Sequence, residues 1–153
     1  MSNQTVLDQV IESNFQLTEE QSDIRQYVRE FAETVIAPKS SRIDEEAKFP
    51  WDVFKEMVEN GLVGMPYPEQ YGGGGADPVT ECILVEELSR VDLSCALACL
   101  VNTLGSQPIM LAGNEEQKKK YIPPITTGDT LCAFGLTEAG AGSDFMGIRT
   151  RAV

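Results

Sequence analysis

Apolar residues recur with a helical period through most of this chain. Ile24, Val28, Phe31 and Val35 follow one another at spacings of four, three and four, which lays a single stripe along an amphipathic helix. Thr18 and Gln21 make a capping-box pattern at its start, able to satisfy two orphan backbone N–H groups, and Pro38 is expected to end it. A second helix is predicted after Pro50, with Val53, Phe54, Met57 and Val58 inward and Asn60-Gly61 as a left-handed stop. Leu62 to Ala76 holds Pro66, Pro68 and the run Gly72 to Gly75, which suits a loop in which at least one glycine takes a positive φ.

Asp77-Pro78 opens a third helix, expected to turn Cys82, Val85 and Leu88 inward and Glu86, Glu87 and Arg90 outward, and to break near Val91-Asp92. From Ser94 a helix apolar nearly all round runs through Cys95, Ala96, Leu97, Leu100, Val101 and Leu104, the pattern of a central helix. Asn114 and Gln117 repeat the capping box, with Glu115 and Glu116 in the first turn, Lys118 to Lys120 in the last, and Pro123-Pro124 as the close. Then the pattern changes. Leu131 to Leu136 is a short apolar run bounded by turn residues and reads as a buried strand, to be followed by a loop from Thr137 to Asp144 and a second strand from about Ile148 to Val153. The fold class expected is mainly α, a helical domain followed by the first strands of a β-domain. Two strands are marginal alone, so they lie against the helices or the natural product continues.

Composition narrows the chemistry. The 153 residues carry 12 basic and 24 acidic side chains, a net charge of −12, which argues against nucleic acid and anionic membranes as partners. The chain has no histidine, which removes Ser-His and Cys-His pairs and the commonest transition-metal ligand; no metal site is expected. Cys82, Cys95, Cys99 and Cys132 show no Cys-x-x-Cys spacing and read as free thiols packed as small hydrophobes in a reducing cytoplasm. Residues 1–16 contain no Lys or Arg and read as neither signal nor transit peptide; no run was expected to reach the length of a membrane span.

The segment Thr137-Glu138-Ala139-Gly140-Ala141-Gly142-Ser143-Asp144 is the richest in candidate chemistry, because small residues let a ligand approach the backbone and consecutive N–H groups can face an anion. It lacks the third glycine of a dinucleotide-binding fingerprint and the Gly-Lys-Ser/Thr of a P-loop. By pattern it is either a Gly-rich hairpin turn or a phosphate or cofactor loop.

The stretches LCAFGLTEAGAGSD at 131–144, VEELSRVDLS at 85–94, LAGNEEQKKKYIPPI at 111–125 and PEQYGGGG at 68–75, in that family's order and spacing, resemble the acyl-CoA dehydrogenase family. The resemblance runs from about Leu17 onward and implies three parts: an N-terminal extension over 1–16, the family's all-α N-terminal domain over 17–128, and the first strands of its middle β-domain over 129–153. It implies FAD as cofactor, with Phe134, Leu136 and Thr137 along the isoalloxazine edge and Gly142 and Ser143 at the pyrophosphate. Ser143 is also implied in contact with the acyl-CoA substrate. Leu97, Leu100, Val101 and Leu104 would line the acyl-chain cavity, with ordinary core packing as the alternative for each. Ala139 stands where the family usually has proline, while Tyr71 and Gly72 to Gly75 match a loop read as structural.

The implied reaction, in fatty acid metabolism, is α,β-dehydrogenation of an acyl-CoA thioester, with electrons passed to an electron-transferring flavoprotein and the enzyme a homo-oligomer. The family's glutamate base lies in a C-terminal helical domain outside these residues. Glu86, Glu87 and Glu138 are the tempting substitutes and none is nominated; no catalytic residue is assigned. The chain is therefore expected to be a fragment or truncated form, inactive alone. Two alternatives stand beside it, a non-catalytic helical association module of the same fold and an acyl-CoA oxidase-like flavoenzyme.

Overall fold

The structure, a computed structural model, describes residues 16–152; the extension expected over residues 1–16 lies outside them but for Gln16, as does Val153. Helix α1, Glu19–Phe31, starts on the expected capping box: Thr18 Oγ1 accepts from the Gln21 N–H and Gln21 Oε1 from the Thr18 N–H, each at 3.1 Å. Val28 and Phe31 are buried, with Ile24 and Val35 half-buried against the same core. Pro38 does not stop the helical path. The chain widens into a π turn, Ala32–Ile36, tightens into a 3-10 turn, Ala37–Lys39, and resumes as α2, Ser40–Glu46. Pro38 sits in the first turn of the 3-10 segment, where its fixed φ suits a helix and its missing N–H costs little.

Helix α3, Trp51–Glu59, buries Val53, Phe54 and Met57. It ends as expected at Asn60-Gly61: Gly61 has φ 73°, its N–H donates to Val58 O and that of Leu62 to Met57 O, both at 2.9 Å, the paired bonds of a Schellman stop. The glycine loop then folds back on itself. Gly75 N–H donates to Tyr67 O at 2.8 Å and Gly74 N–H to Gly64 O at 3.1 Å, and a Cβ on Gly73 would stand 2.0 Å from Tyr67 O. Backbone therefore lies where any side chain would have to go.

Helix α4, Pro78–Ser89, is capped by Asp77, which accepts the Thr80 N–H at 2.7 Å. Its buried face is Ile83, Leu84, Glu87 and Leu88, while Cys82 is exposed, so the helix is rotated from the orientation expected. Glu87 can be buried because arginines surround it. Arg29 donates to both its oxygens, at 2.9 and 2.7 Å, and Arg90 adds a bond at 3.3 Å. Charge pairing with fork-shaped guanidinium donors offsets the desolvation that a polarity pattern treats as prohibitive.

Helix α5, Leu93–Ala112, buries only Cys95, Ala96, Cys99, Asn102 and Ser106. Leu93, Leu97, Leu104 and Leu111 are exposed, which corrects the expectation of a central helix. With 20 residues, α5 is also long and apolar enough to cross a membrane by length and composition, contrary to the expectation for this chain; its buried polar residues Asn102 and Ser106 nonetheless face protein. Helix α6, Glu115–Thr126, begins on the predicted Asn114–Gln117 capping box and continues through Pro123-Pro124. The prolines forfeit helical N–H donors without leaving helical φ, so Lys118 to Lys120 fall mid-helix and not in the last turn.

Helices α1, α4 and α5 pack in succession, α3 lies on α5, and α6 joins α5 and the glycine loop. The main core holds Phe31, Ile36, Phe54, Met57, Leu84 and Leu88 among others, and a smaller cluster joins Tyr67, Tyr71, Ile122 and Ile125. Beyond α6 the expected strands are not formed among the described residues. Residues 131–137 form no regular element, and the one pairing among the described residues is an isolated antiparallel bridge between Glu138 and Ala141. A strand needs a neighbour to take its N–H and C=O groups, and none of the described residues supplies one.

Candidate functional site

The segment after α6 is laid on α5 by two residues. Asn102, 2% exposed, accepts the Cys132 N–H on its Oδ1 at 2.7 Å and donates from Nδ2 to Ala98 O at 3.0 Å. Gly105 lies one turn on, and a Cβ there would stand 2.8 Å from Cys132 Cβ and 3.0 Å from Ala133 O. One residue ties the segment down and the other leaves room for it. Neither stands out in the sequence, although an amide and a glycine three apart on one face of a largely apolar helix are the signal of a closely approached backbone.

From Ala133 to Thr137 no backbone N–H donates a hydrogen bond among the described residues. Phe134 and Leu136 are 45% and 47% exposed, and Thr137, Gly142 and Ser143 are exposed as well. All five predicted cofactor residues thus lie on one open run of chain, with donors and acceptors uncommitted. At its end the chain reverses: Glu138 N–H donates to Ala141 O at 3.0 Å and Ala141 N–H to Glu138 O at 3.1 Å. Ala141 is buried, and added Cβ atoms on Gly140 and Gly142 would meet nothing within 4 Å.

The four predicted acyl-cavity residues divide between two faces of α5. Leu100 and Leu104 line a cleft of about 530 Å³ against α4, with Cys82, Val85 and Glu86 opposite. Leu97 and Val101 line a smaller cleft of about 250 Å³ beneath Leu131 and Cys132, with Phe49 at its edge. They are not a single wall. The larger cleft is bounded mostly by apolar side chains with Glu81, Glu86, Thr103 and Gln107 at its rim, a lining that suits an apolar chain.

The acidic candidates are all engaged. Arg29, through its hydrogen bonds, holds the Glu87 carboxyl below the usual range. Glu138 is likewise lowered, by its hydrogen bonds to Thr150 and to the Arg149 and Thr150 N–H groups, while Glu86 takes a bond from Arg25 at 3.2 Å. A general base working near neutrality needs its pKa raised, so Glu87 and Glu138 are poor ones. Burial pushes the Cys95 and Cys99 thiols up to about 12, which leaves them inert packing groups. No cluster of side chains able to hold a metal occurs among the described residues.

The acyl-CoA dehydrogenase N-terminal domain family matches residues 18–129. The chain belongs to the acyl-CoA dehydrogenase family. An acyl-CoA dehydrogenase of Bacillus subtilis is 44% identical over 138 residues, which are 90% of this chain and 36% of that protein. The structure of butyryl-CoA dehydrogenase from Megasphaera elsdenii superposes with a TM-score of 0.77 at 34% identity, over 89% of this chain and 37% of that one. An acyl-CoA dehydrogenase from Bacillus anthracis, solved in complex with FAD, gives a TM-score of 0.74 at 36% identity, covering 86% and 23% respectively. The chain spans about a third of the length of the curated relatives it matches.

Proposed function

We propose that this chain forms the N-terminal helical domain, residues 17–128, and the opening of the middle β-domain, residues 129–153, of an FAD-dependent acyl-CoA dehydrogenase. The observation that carries this reading is the uncommitted backbone of Ala133 to Thr137 leading into the open Gly140–Ser143 turn. Those residues fit FAD: a flavin edge wants backbone donors and acceptors, and a pyrophosphate wants N–H groups and a hydroxyl. FAD, when bound, supplies the acceptor for the hydride leaving the substrate's β-carbon. Phe134, Leu136 and Thr137 then hold its ring edge, Gly142 and Ser143 its phosphates, with Ser143 also reaching the acyl-CoA. The α4–α5 cleft at Leu100 and Leu104 takes the acyl chain, and Leu97 and Val101 support the FAD-bearing segment from below.

Because Glu86 and Glu87 are held by arginines and Glu138 by backbone N–H groups, the α-proton is taken by a base from outside these residues, and the 153-residue chain alone does not turn over. In the assembled enzyme the 131–137 run becomes a paired strand, the electrons go to an electron-transferring flavoprotein, and the protein works as a homo-oligomer in a reducing cytoplasm. The test is the visible spectrum of the purified chain after incubation with FAD and removal of unbound flavin. A retained flavin band supports the reading, and anaerobic acyl-CoA then reports whether it bleaches. Absence of any retained flavin argues against a working half-site. The second reading, a helical association module, draws on the exposed Leu93, Leu97, Leu104 and Leu111 of α5; concentration-dependent self-association without flavin would favour it.

A further inference from the structure

Glu138 occupies a singular place in the C-terminal segment. Its main chain closes the Ala139-Gly140 reversal through both bonds to Ala141. Its side chain meanwhile reaches across to the other end of the loop: Oε2 accepts the Arg149 N–H at 3.0 Å and Oε1 the Thr150 N–H at 2.9 Å. Between these two closures lie Gly142, Ser143 and the 3-10 turn Phe145–Gly147, itself pinned by the Gly147 N–H donating to Asp144 O at 3.1 Å. One side chain thus ties the two ends of a segment otherwise rich in small, exposed residues.

We propose that Glu138 is a positioning residue whose carboxylate, by bridging to the Arg149 and Thr150 N–H groups, holds the Gly140–Ser143 turn in its ligand-accepting shape. The inference rests on the reading of that turn as the pyrophosphate contact. The physical argument is one of matching. An ionised carboxylate has two equivalent acceptor oxygens and can serve two N–H groups at once. Glutamine offers one acceptor and a donor that faces an N–H, and alanine offers nothing. Untethered, a run containing Gly140, Gly142 and Gly147 has ample backbone freedom, and a ligand binding it must order it first. Glu138 does that ordering in advance, without touching the ligand.

The test compares the 153-residue chain with its Glu138→Ala and Glu138→Gln variants by amide hydrogen exchange and by FAD retained after removal of free flavin. The expected result is about tenfold faster exchange at Arg149, Thr150 and the 140–143 turn in Glu138→Ala. Retained FAD falls by a similar factor, Glu138→Gln lies between, and the helical melting transition does not move. Unchanged exchange in Glu138→Ala overturns the inference. So does faster exchange with undiminished FAD retention, which leaves the cofactor reading standing. If the parent chain retains no FAD, the reading of the turn as a working half-site fails, and the exchange comparison alone then upholds or overturns the hold of Glu138 on the turn, a result distinct from either variant outcome.

Discussion

Replacing Gly105 by alanine separates what holds the helices together from what holds the candidate site. The added Cβ would stand 2.8 Å from Cys132 Cβ and 3.0 Å from Ala133 O, whereas non-bonded carbons settle near 3.5–4.0 Å. The segment at Cys132 and Ala133 must therefore retreat by about 1 Å. The Asn102–Cys132 hydrogen bond, 2.7 Å long, then stretches out of effective range, at a cost of about 1 kcal/mol. Against this, alanine for glycine inside a helix contributes about 1 kcal/mol. The two nearly cancel. Thermal unfolding followed by circular dichroism should shift by no more than a few degrees, while exchange of the Cys132 amide accelerates and flavin retention drops. If the Cys132 amide stays as protected as before, or if the whole chain loses several kcal/mol, the account of α5 as a cradle for this segment is wrong.

Gly73→Ala should behave in the opposite way, lowering global stability by about 3 kcal/mol in urea denaturation, because its Cβ would collide with Tyr67 O at 2.0 Å and open the loop's hydrogen bonds. Phe54→Ala, at 2% exposure and in T-shaped contact with Phe49, should cost about 3–5 kcal/mol by the same assay. Glu87→Gln should cost about 2 kcal/mol at pH 7, moderated because the arginines around it are partly exposed and can rehydrate. Since Arg29 lowers the folded-state pKa of Glu87 from its ordinary 4.5, the carboxylate's contribution is complete above that value and is lost as pH falls through the lower one. The gap between the parent and Glu87→Gln in urea midpoint should accordingly narrow as pH falls below 4.5, and a gap that widens on acidification would contradict the assignment.

The features legible in the sequence were those set by a few neighbouring residues. Both capping boxes and the Asn60-Gly61 stop appear where the pattern placed them, because each is satisfied by bonds spanning three or five residues. Proline misled twice. At Pro38 the missing donor falls in a first turn where it costs little, and at Pro123-Pro124 the surrounding packing carries the helix on to Thr126 in spite of the lost donors and the crowding of the preceding turn. Glu87 was misplaced because two of its three arginine neighbours, Arg25 and Arg29, come from α1 and only Arg90, just past the end of α4, is local, and a polarity pattern carries no record of a partner far along the chain. The strand at 131–136 was predicted from composition, but pairing is a property of two segments, and among the described residues the second is lacking. For the candidate site, the exposed small-residue turn was legible as residue types; Asn102 and Gly105, which set where it lies, were hidden inside a helix read only for its leucines.

Helix α5 explains why that reading went astray and what the arrangement achieves. An ordinary surface helix turns its large apolar residues inward, yet α5 presents Cys95, Ala96, Cys99, Asn102 and Ser106 to the interior and leaves Leu97, Leu104 and Leu111 outside. Small inward residues let the neighbouring helices approach closely, and the interior polar groups find local partners, Ser106 Oγ donating to Asn102 O at 2.8 Å and lying 3.0 Å from the Tyr67 hydroxyl. Of the outward leucines, Leu104 stands at the cleft against α4 and Leu97 at the one beneath Leu131. Full burial of such a side chain is worth roughly 1.5–3 kcal/mol, and Leu97, Leu104 and Leu111, at 44%, 40% and 78% exposed, each forgo a part of it. Any apolar ligand or protein surface that covers them recovers that energy on contact. The inversion of polarity that defeats the pattern is thus the same feature that equips α5 to be covered by something other than its own domain.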